Sequence, residues 1–329
     1  MVARLSRRGF LCHAAGAAAA LPWLTRTALA RSVRFCGIFA IMQTPFDPSD
    51  RIDWQDLERE ADFCIRAGAH GIVWPQLAGE FYLLTEEERL RGAEVILHKT
   101  AGGESAVVIG VQAPMKELAV KFARHAVENG ADAVIALPPF LGGVSIEAAA
   151  DYYRTLARAV KVPVFIQNSG GSWGPGLSVP LIIQLAKEDS KLAYIKEEVE
   201  PVAHRVGEYA RSGVMKAIFS GSSGRNLLDE LAHGSSGTMP AAGFVDIAVQ
   251  IYNLSAAGKS DEARSLFQKL LPMINMEEMY GLSFVKSVLV RRGVFKTAKL
   301  RGNTSTTMDA VDVQELDAWW KQLSPHFKV

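Results

Sequence analysis

The sequence predicts an α/β protein, a closed (β/α)8 TIM barrel followed by a C-terminal helical extension. Two observations carry that prediction. Eight short apolar runs alternate with longer segments of helical period for some two hundred residues from Gly37 onward. Each unit is roughly 25 to 30 residues long, as a parallel sheet needs when every crossover returns on the same side. A third observation removes the competing doubly wound sheet: no G-x-G-x-x-G turn follows any of the runs.

The first thirty residues stand outside the barrel. Ser6-Arg7-Arg8-Gly9-Phe10-Leu11 is followed by an alanine-rich apolar run and then by Ala28-Leu29-Ala30, a small-x-small cleavage signature. This resembles a bacterial twin-arginine export signal, with cleavage expected after Ala30, and it implies a periplasmic or secreted protein. Its apolar run is shorter than the roughly 20 residues of a membrane span, so no membrane is expected in the mature form. Of the 36 basic and 35 acidic residues the leader holds four arginines and no acid, which leaves the mature chain at −3 and offers no basic stripe for nucleic acid. Cys12 leaves with the leader; Cys36 and Cys64 remain, and two separate buried thiols are expected rather than a disulfide.

In order, the strands are expected at Gly37 to Thr44, Gly71 to Trp74, Ala106 to Val111, Ala133 to Leu137, Val162 to Gln167, Leu192 to Lys196, Met215 to Ser220 and Gly237 to Met239. Between them, Asp53 to Arg66 reads as a helix stopped by Gly68, and Thr85 to His98 as a helix opened by the Thr85-Glu86-Glu87-Glu88 capping box. Met115, Ala119, Phe122 and Ala126 share one helical face before Gly130 stops it, and Asn226 to His233 ends at Gly234. Beyond the eighth strand, Phe244 to Ala257, Asp261 to Met276, Ser283 to Arg292 and Val313 to Leu323 are helical in pattern. The expected division is a leader at 1–30, a barrel at 31–258 and a C-terminal extension at 259–329, the last a candidate oligomer surface.

Catalytic groups of such a barrel sit where strands end. Those positions are Thr44, Pro75 to Glu80, Gln112, Pro138 to Phe140, Gln167-Asn168, Lys196-Glu197-Glu198, Ser220-Gly221-Ser222 and Pro240. They include one lysine, no histidine and no carboxylate pair at metal-ligand spacing, so no metal or other cofactor is expected. Ser220 and Ser222 lack the G-x-S-x-G elbow of a serine hydrolase. Amine chemistry remains. A lysine enclosed in an apolar barrel can lose its proton and condense with a ketone to give an iminium that acts as an electron sink. Strand alternation puts Tyr194, Lys196 and Glu198 on one face and Ile195 and Glu197 on the other, which makes Glu198 a candidate proton carrier beside Lys196.

Thr44-Pro45-Phe46, Gly79-Glu80 with Leu84-Thr85-Glu86-Glu87-Glu88-Arg89, Gly130-Ala131-Asp132-Ala133, Ile195-Lys196-Glu197 and Ser220-Gly221, in this order and spacing, resemble the dihydrodipicolinate synthase and N-acetylneuraminate lyase family. The resemblance covers essentially the whole mature chain. It implies a barrel with a C-terminal helical bundle, a homotetramer or homodimer, and a Schiff base between Lys196 and pyruvate or another 2-oxo acid. It also implies substrate contacts from Thr44, from Leu77, Ala78, Gly79 and Glu80, and from Asn168, Ser220 and Ser222. Lys196, Glu198 and Gln167 are the expected catalytic group.

The departures are specific. The family's Gly-Thr-Thr-Gly-Glu loop is here Gln76-Leu77-Ala78-Gly79-Glu80, without either hydroxyl. Its relay tyrosine after the fifth strand corresponds to Gln167, its arginine to Ser172, and its tyrosine pair after the fourth strand to Phe140-Leu141. Glutamine is not a general acid near neutral pH, so proton transfer falls to Glu198, Tyr82, Ser222 or a bound water. Backbone N–H groups of Leu77 to Glu80 can still hold a carboxylate. The Lys196-Glu197-Glu198 run and Gly237-Thr238-Met239-Pro240 resemble the sugar-acid dehydratase branch. The expected function is therefore a Schiff-base lyase, a dehydratase or aldolase, acting on a small 2-oxo acid or 2-keto-3-deoxy sugar acid. The alternatives are a catalytically impaired exported barrel that binds such an acid, and a changed substrate such as an aldehyde.

Overall fold

A computed structural model describes residues 33–302 and 306–329; the expected export leader and its cleavage site lie outside the described residues. Eight parallel strands close on themselves in chain order: β1 (Gly37–Ile41), β2 (Gly71–Trp74), β3 (Ala106–Gly110), β4 (Ala133–Ala136), β5 (Val164–Asn168), β6 (Tyr194–Glu197), β7 (Ala217–Ser220) and β8 (Gly237–Thr238). Around them lie α1 (Trp54–Arg66), α2 (Glu86–Lys99), α3 (Lys116–Glu128), α4 (Ile146–Ala159), α5 (Val179–Glu188), α6 (Val202–Ser212), α7 (Leu227–Ala232) and α8 (Val245–Ala256). Two further helices, α9 (Ser260–Arg291) and α10 (Ala310–Leu323), complete the chain. The expected (β/α)8 barrel with a C-terminal helical extension is what forms.

The strands differ from expectation at their ends, for local reasons. β5 begins after Pro163, which has no N–H to give the ladder. β6 begins at Tyr194 because Asp189 caps a 3-10 turn over Ser190–Leu192. The capping box of α2 is present, with Thr85 and Glu88 each accepting from the other's backbone. The two helices expected at 261–276 and 283–292 are present end to end within the α9 span, separated at Gly281, whose φ of 55° and ψ of −137° suit glycine alone. Cys36 and Cys64 form no disulfide; Cys64 is buried as expected, whereas Cys36 is half-buried. Among the described residues no helix is long and apolar enough to cross a membrane.

Alternation divides the core into two layers. Ile38, Ala40, Ile72, Trp74, Val107, Ile109, Val134, Ile166 and Ile195 face the helices. Phe39, Ile41, Val73, Val108, Ile135, Phe165 and Phe219 fill the barrel. Its N-terminal end is plugged by aromatic rings: Phe35 meets Phe165 at 5.5 Å and Tyr194 at 5.3 Å between centroids, and Phe39 meets Phe219 at 4.8 Å. Because side chains repeat every second residue, Gln167 follows Phe165 and Lys196 follows Tyr194 on this same inner face, one step nearer the open end.

Candidate active site

Gln167 and Lys196 stand opposite each other in the β5–β6 ladder, and Lys196 opposite Phe219 in the next. The ladder continues past β6 through a Glu198 N–H to Asn168 carbonyl bond of 3.0 Å, which carries Glu198 onto the same face as Lys196. Lys196 Nζ then lies 3.0 Å from Glu198 Oε1. The other carboxylate oxygen accepts from Gln167 Nε2 at 2.7 Å and from the Ser169 hydroxyl at 2.6 Å. Burial is the largest influence on the Glu198 carboxyl and pushes it up. The Lys196 charge and the three hydrogen bonds together outweigh burial and hold the group below its ordinary value, so it stands as a carboxylate at neutral pH.

Gly221 is what lets the carboxylate sit there. A Cβ on that residue would fall 2.0 Å from Glu198 Oε1. Glu197 points the opposite way, into the β6–α6 layer, where it accepts from Tyr209 at 2.7 Å and from Asn168 Nδ2 at 3.0 and 3.1 Å and pairs with Arg205 at 3.1 Å. This is the structural contact that alternation predicts for it.

Lys196 and Glu198 open into a cavity of roughly 580 Å³. One wall is Gln76, Leu77 and Ala78, another Ser222 and Ser223, a third Trp173, and the face opposite the strand ends is α9 with Ile274, Glu277, Glu278 and Leu282. Five of the residues expected at the site therefore meet there: Lys196, Glu198, Leu77, Ala78 and Ser222. Gln167 reaches the site through its hydrogen bond to Glu198. Among the described residues no cluster of three or more His, Cys, Asp or Glu side chains is placed to hold a metal ion.

Five expected contacts lie elsewhere. The Thr44 hydroxyl donates to the Gly79 carbonyl at 2.5 Å and accepts from Trp74 Nε1 at 3.1 Å, so Thr44 and Gly79 together fasten the turn below the cavity wall. Glu80, in a left-handed conformation, forms a fully buried ion pair with Lys286 of α9. Asn168 and Ser220 each follow an inward residue and so face outward. Asn168 bonds Glu197 and the Leu177 backbone, and Ser220 donates to Glu230 and to Thr238. Gly79 and Glu80 also spend their N–H groups inside the turn, on the carbonyls of Gln76 and Leu77 at 2.9 and 3.0 Å. The amides of Leu77 and Ala78, which open the turn, are the pair left for a carboxylate.

Where the family's tyrosine pair would stand, Phe140 packs on Phe81 at 5.5 Å and on Trp173 at 6.0 Å, making an apolar aromatic wall. Tyr82, one of the candidate proton carriers, is 39% exposed and stacks on Trp173 at 5.4 Å outside the cavity lining. Three buried amide oxygens, of Gln43, Gln76 and Gln167, have no hydrogen-bond partner among the described residues. Of these Gln76 lines the cavity, where an unpaired acceptor suits a donor from a hydroxyl-bearing ligand. Ser169, Ser223 and Glu277 are not among the expected positions, and Gln76 is among them only as part of the Pro75 to Glu80 strand end. Ser169 and Ser223 sit one or two residues from expected positions, whereas nothing local marks Glu277.

The arrangement supplies an amine nucleophile, an ionised carboxylate at hydrogen-bond distance to shuttle its proton, and two backbone donors for an anionic group. Comparison with known proteins agrees with it. The profile of the Dihydrodipicolinate synthetase family matches residues 34–318. The chain is 29% identical over 265 residues to an L-2-keto-3-deoxyarabonate dehydratase of Azospirillum brasilense, covering 79% of this chain and 85% of that protein. It is 29% identical over 259 residues to a probable 2-dehydro-3-deoxy-D-pentonate aldolase of Escherichia coli, covering 77% and 86%. The crystal structure of a dihydrodipicolinate synthase from Rhodopseudomonas palustris superposes with a TM-score of 0.80 at 26% identity, over 88% of this chain and 97% of that one.

Proposed function

Because the chain belongs to the dihydrodipicolinate synthetase family, we propose that it is a Schiff-base-forming lyase of small 2-oxo acids, and that Lys196 is the nucleophile. The observation that carries the reading is the Lys196–Glu198 pair at 3.0 Å on the floor of the cavity. The Glu198 carboxylate takes the ammonium proton, and the freed amine attacks the C2 carbonyl. Glu198 then returns the proton to the departing carbinolamine oxygen, which leaves as water and yields the iminium. The iminium acidifies C3, and Glu198 is again the base within reach. Gln167 and Ser169 hold it in place, doing by hydrogen bonding what a relay tyrosine would do by titration.

The Leu77 and Ala78 amides receive the substrate carboxylate, and the amide oxygen of Gln76, which lines the cavity, accepts from a hydroxyl. A 2-keto-3-deoxy sugar acid, the substrate class named for the Azospirillum and Escherichia relatives, presents both groups. The binding-only alternative is not favoured, since the amine keeps a proton partner although the threonines and tyrosines are gone.

The test is to incubate the protein with pyruvate and with 2-keto-3-deoxy sugar acids, add borohydride, and read the mass of the peptide carrying Lys196. An adduct there, absent in Lys196→Ala, is expected. No adduct with any 2-oxo acid, alongside unaltered ligand binding in Lys196→Ala, refutes the enzymatic reading. The same proposal extends to the rest of the chain. Arg7-Arg8 and Ala28-Leu29-Ala30 support export by the twin-arginine route to the periplasm or beyond, read as a loss of about thirty residues in the mature mass. Exposed Met279, Val311 and Val313 support a homodimer or homotetramer built on the extension at 259–329 beside the barrel at 31–258, read by sedimentation.

A further inference from the structure

Two further carboxyl groups line the cavity, Glu277 and Glu278, and no step so far uses either. Glu277 projects from α9 into the same space as Lys196 and Glu198, on the wall opposite the strand ends. It is half-buried, and it accepts a hydrogen bond from the Ser223 hydroxyl. Ser222 and Ser223, at φ of 49° and 52°, both hold a left-handed conformation that non-glycine residues rarely adopt. The chain keeps this strain at the one loop that presents Ser223 to Glu277. Glu278, next along α9, is exposed.

We propose that Glu277 is the general acid that protonates the departing 4-hydroxyl of a 3-deoxy-4-hydroxy-2-oxo acid bound at Lys196, so that this cavity can dehydrate such substrates. The inference rests on the Schiff-base reading above. Of the three carboxyls lining the cavity, Glu198 and Glu277 stand in opposite environments, which is how one site separates an acid from a base. Burial pushes Glu277 up to about 7 against the Ser223 hydrogen bond, with Glu278 adding to the rise, while Glu198 is held low beside Lys196.

The step balances without an oxidant or reductant. Glu198 removes a C3 proton, and the C–H electron pair moves into the C2–C3 bond of the enamine as the iminium nitrogen regains its lone pair. The enamine pair returns to form C3=C4 as the C4–O bond breaks, and the Glu277 proton goes to the leaving oxygen, which departs as water. Hydrolysis of the conjugated iminium consumes the water released when it formed, so the net change is loss of one water. The proton on Glu198 restores the one given by Glu277.

The test compares wild type with Glu277→Gln in three reactions. Borohydride trapping at Lys196 and deuterium exchange at C3 of pyruvate are expected to be unchanged. Dehydration of a 4-hydroxy substrate is expected to fall by about 10²-fold or more. Elimination from the 4-fluoro analogue, whose fluoride needs no proton, is expected to survive within a few-fold. The wild-type rate is expected to decline above about pH 7, as Glu277 loses its proton in the company of Ser223, Glu278, Glu198 and Lys196. Ser223→Ala removes the hydrogen bond that lowers Glu277 and should move that decline to higher pH. Equal loss of exchange and dehydration in Glu277→Gln, full retention of dehydration, or an unmoved alkaline limb in Ser223→Ala would each overturn the assignment. A wild type that forms no Lys196 adduct fails at the earlier reading and takes this one with it.

Discussion

Gly221→Ala is the sharpest probe of the Lys196–Glu198 pair because it adds one methyl group and touches neither residue's chemistry. The new carbon would lie 2.0 Å from Glu198 Oε1 and 2.7 Å from its Cδ. Carbon and oxygen approach without a bond to roughly 3.3 Å, so the carboxylate must retreat by more than about 1 Å. It has little slack, being held by Lys196 at 3.0 Å, Gln167 at 2.7 Å and Ser169 at 2.6 Å. Retreat by that much takes the Lys196 contact out of hydrogen-bond range. A misplacement of about 1 Å in a reacting group costs about 10²-fold in rate. The ceiling on lost stability is the about 3–5 kcal/mol of a buried pair broken outright. The loss should fall below it, because the Glu198 side chain is 16% exposed and keeps some solvent. The assay is C3 deuterium exchange of pyruvate by NMR together with the urea midpoint. Exchange within about threefold of wild type, which is under 1 kcal/mol of barrier, would refute the geometry from which the argument starts.

Two other outcomes follow from charges elsewhere in the chain. Lys286→Met strands the Glu80 carboxylate, which is 1% exposed, and should lower the unfolding free energy by about 3–5 kcal/mol in denaturant titration, whereas adding Glu80→Gln should recover most of it. For Glu198 the sign is set by its depressed folded value. Its contribution to stability is complete above the ordinary carboxylate range near about pH 4.3 and is lost as pH falls through the lower folded value. The stability difference between wild type and Glu198→Gln should therefore narrow on acidification, and a difference that does not change with pH would count against the pairing.

Parity along a strand was legible from sequence and decided most of the site. Once Lys196 was placed inward, Tyr194 and Glu198 had to follow it and Glu197 had to face the helices, where Tyr209 and Asn168 meet it. The same rule, applied to β5 and β7, sends Asn168 and Ser220 outward, because Gln167 and Phe219 are the inward residues there. Treating every residue near a strand end as a substrate contact overlooked that. Other features were beyond local pattern. Glu80 fits a loop motif, but its partner is 206 positions away, and only the packing of α9 across the barrel end brings Lys286 to it. Glu277 is one helical glutamate among several until that packing turns it over the cavity. The orphaned amide oxygen of Gln76 is likewise visible only once its amide nitrogen is spent on Gln112 at 3.0 Å.

α9 supplies both the ceiling of the cavity and, on the far side of the break at Gly281, the counter-ion for Glu80. This gives the molecule a timetable. The eight strands are complete at Thr238, yet a nascent chain that has reached this point has an uncovered cavity and a carboxylate waiting for a lysine not yet made. At about 5–20 residues per second the ribosome needs on the order of 10–40 s to travel from Glu80 to Lys286. Competence thus waits until translation has passed α9, and a product that terminates before it would be a barrel without a working site.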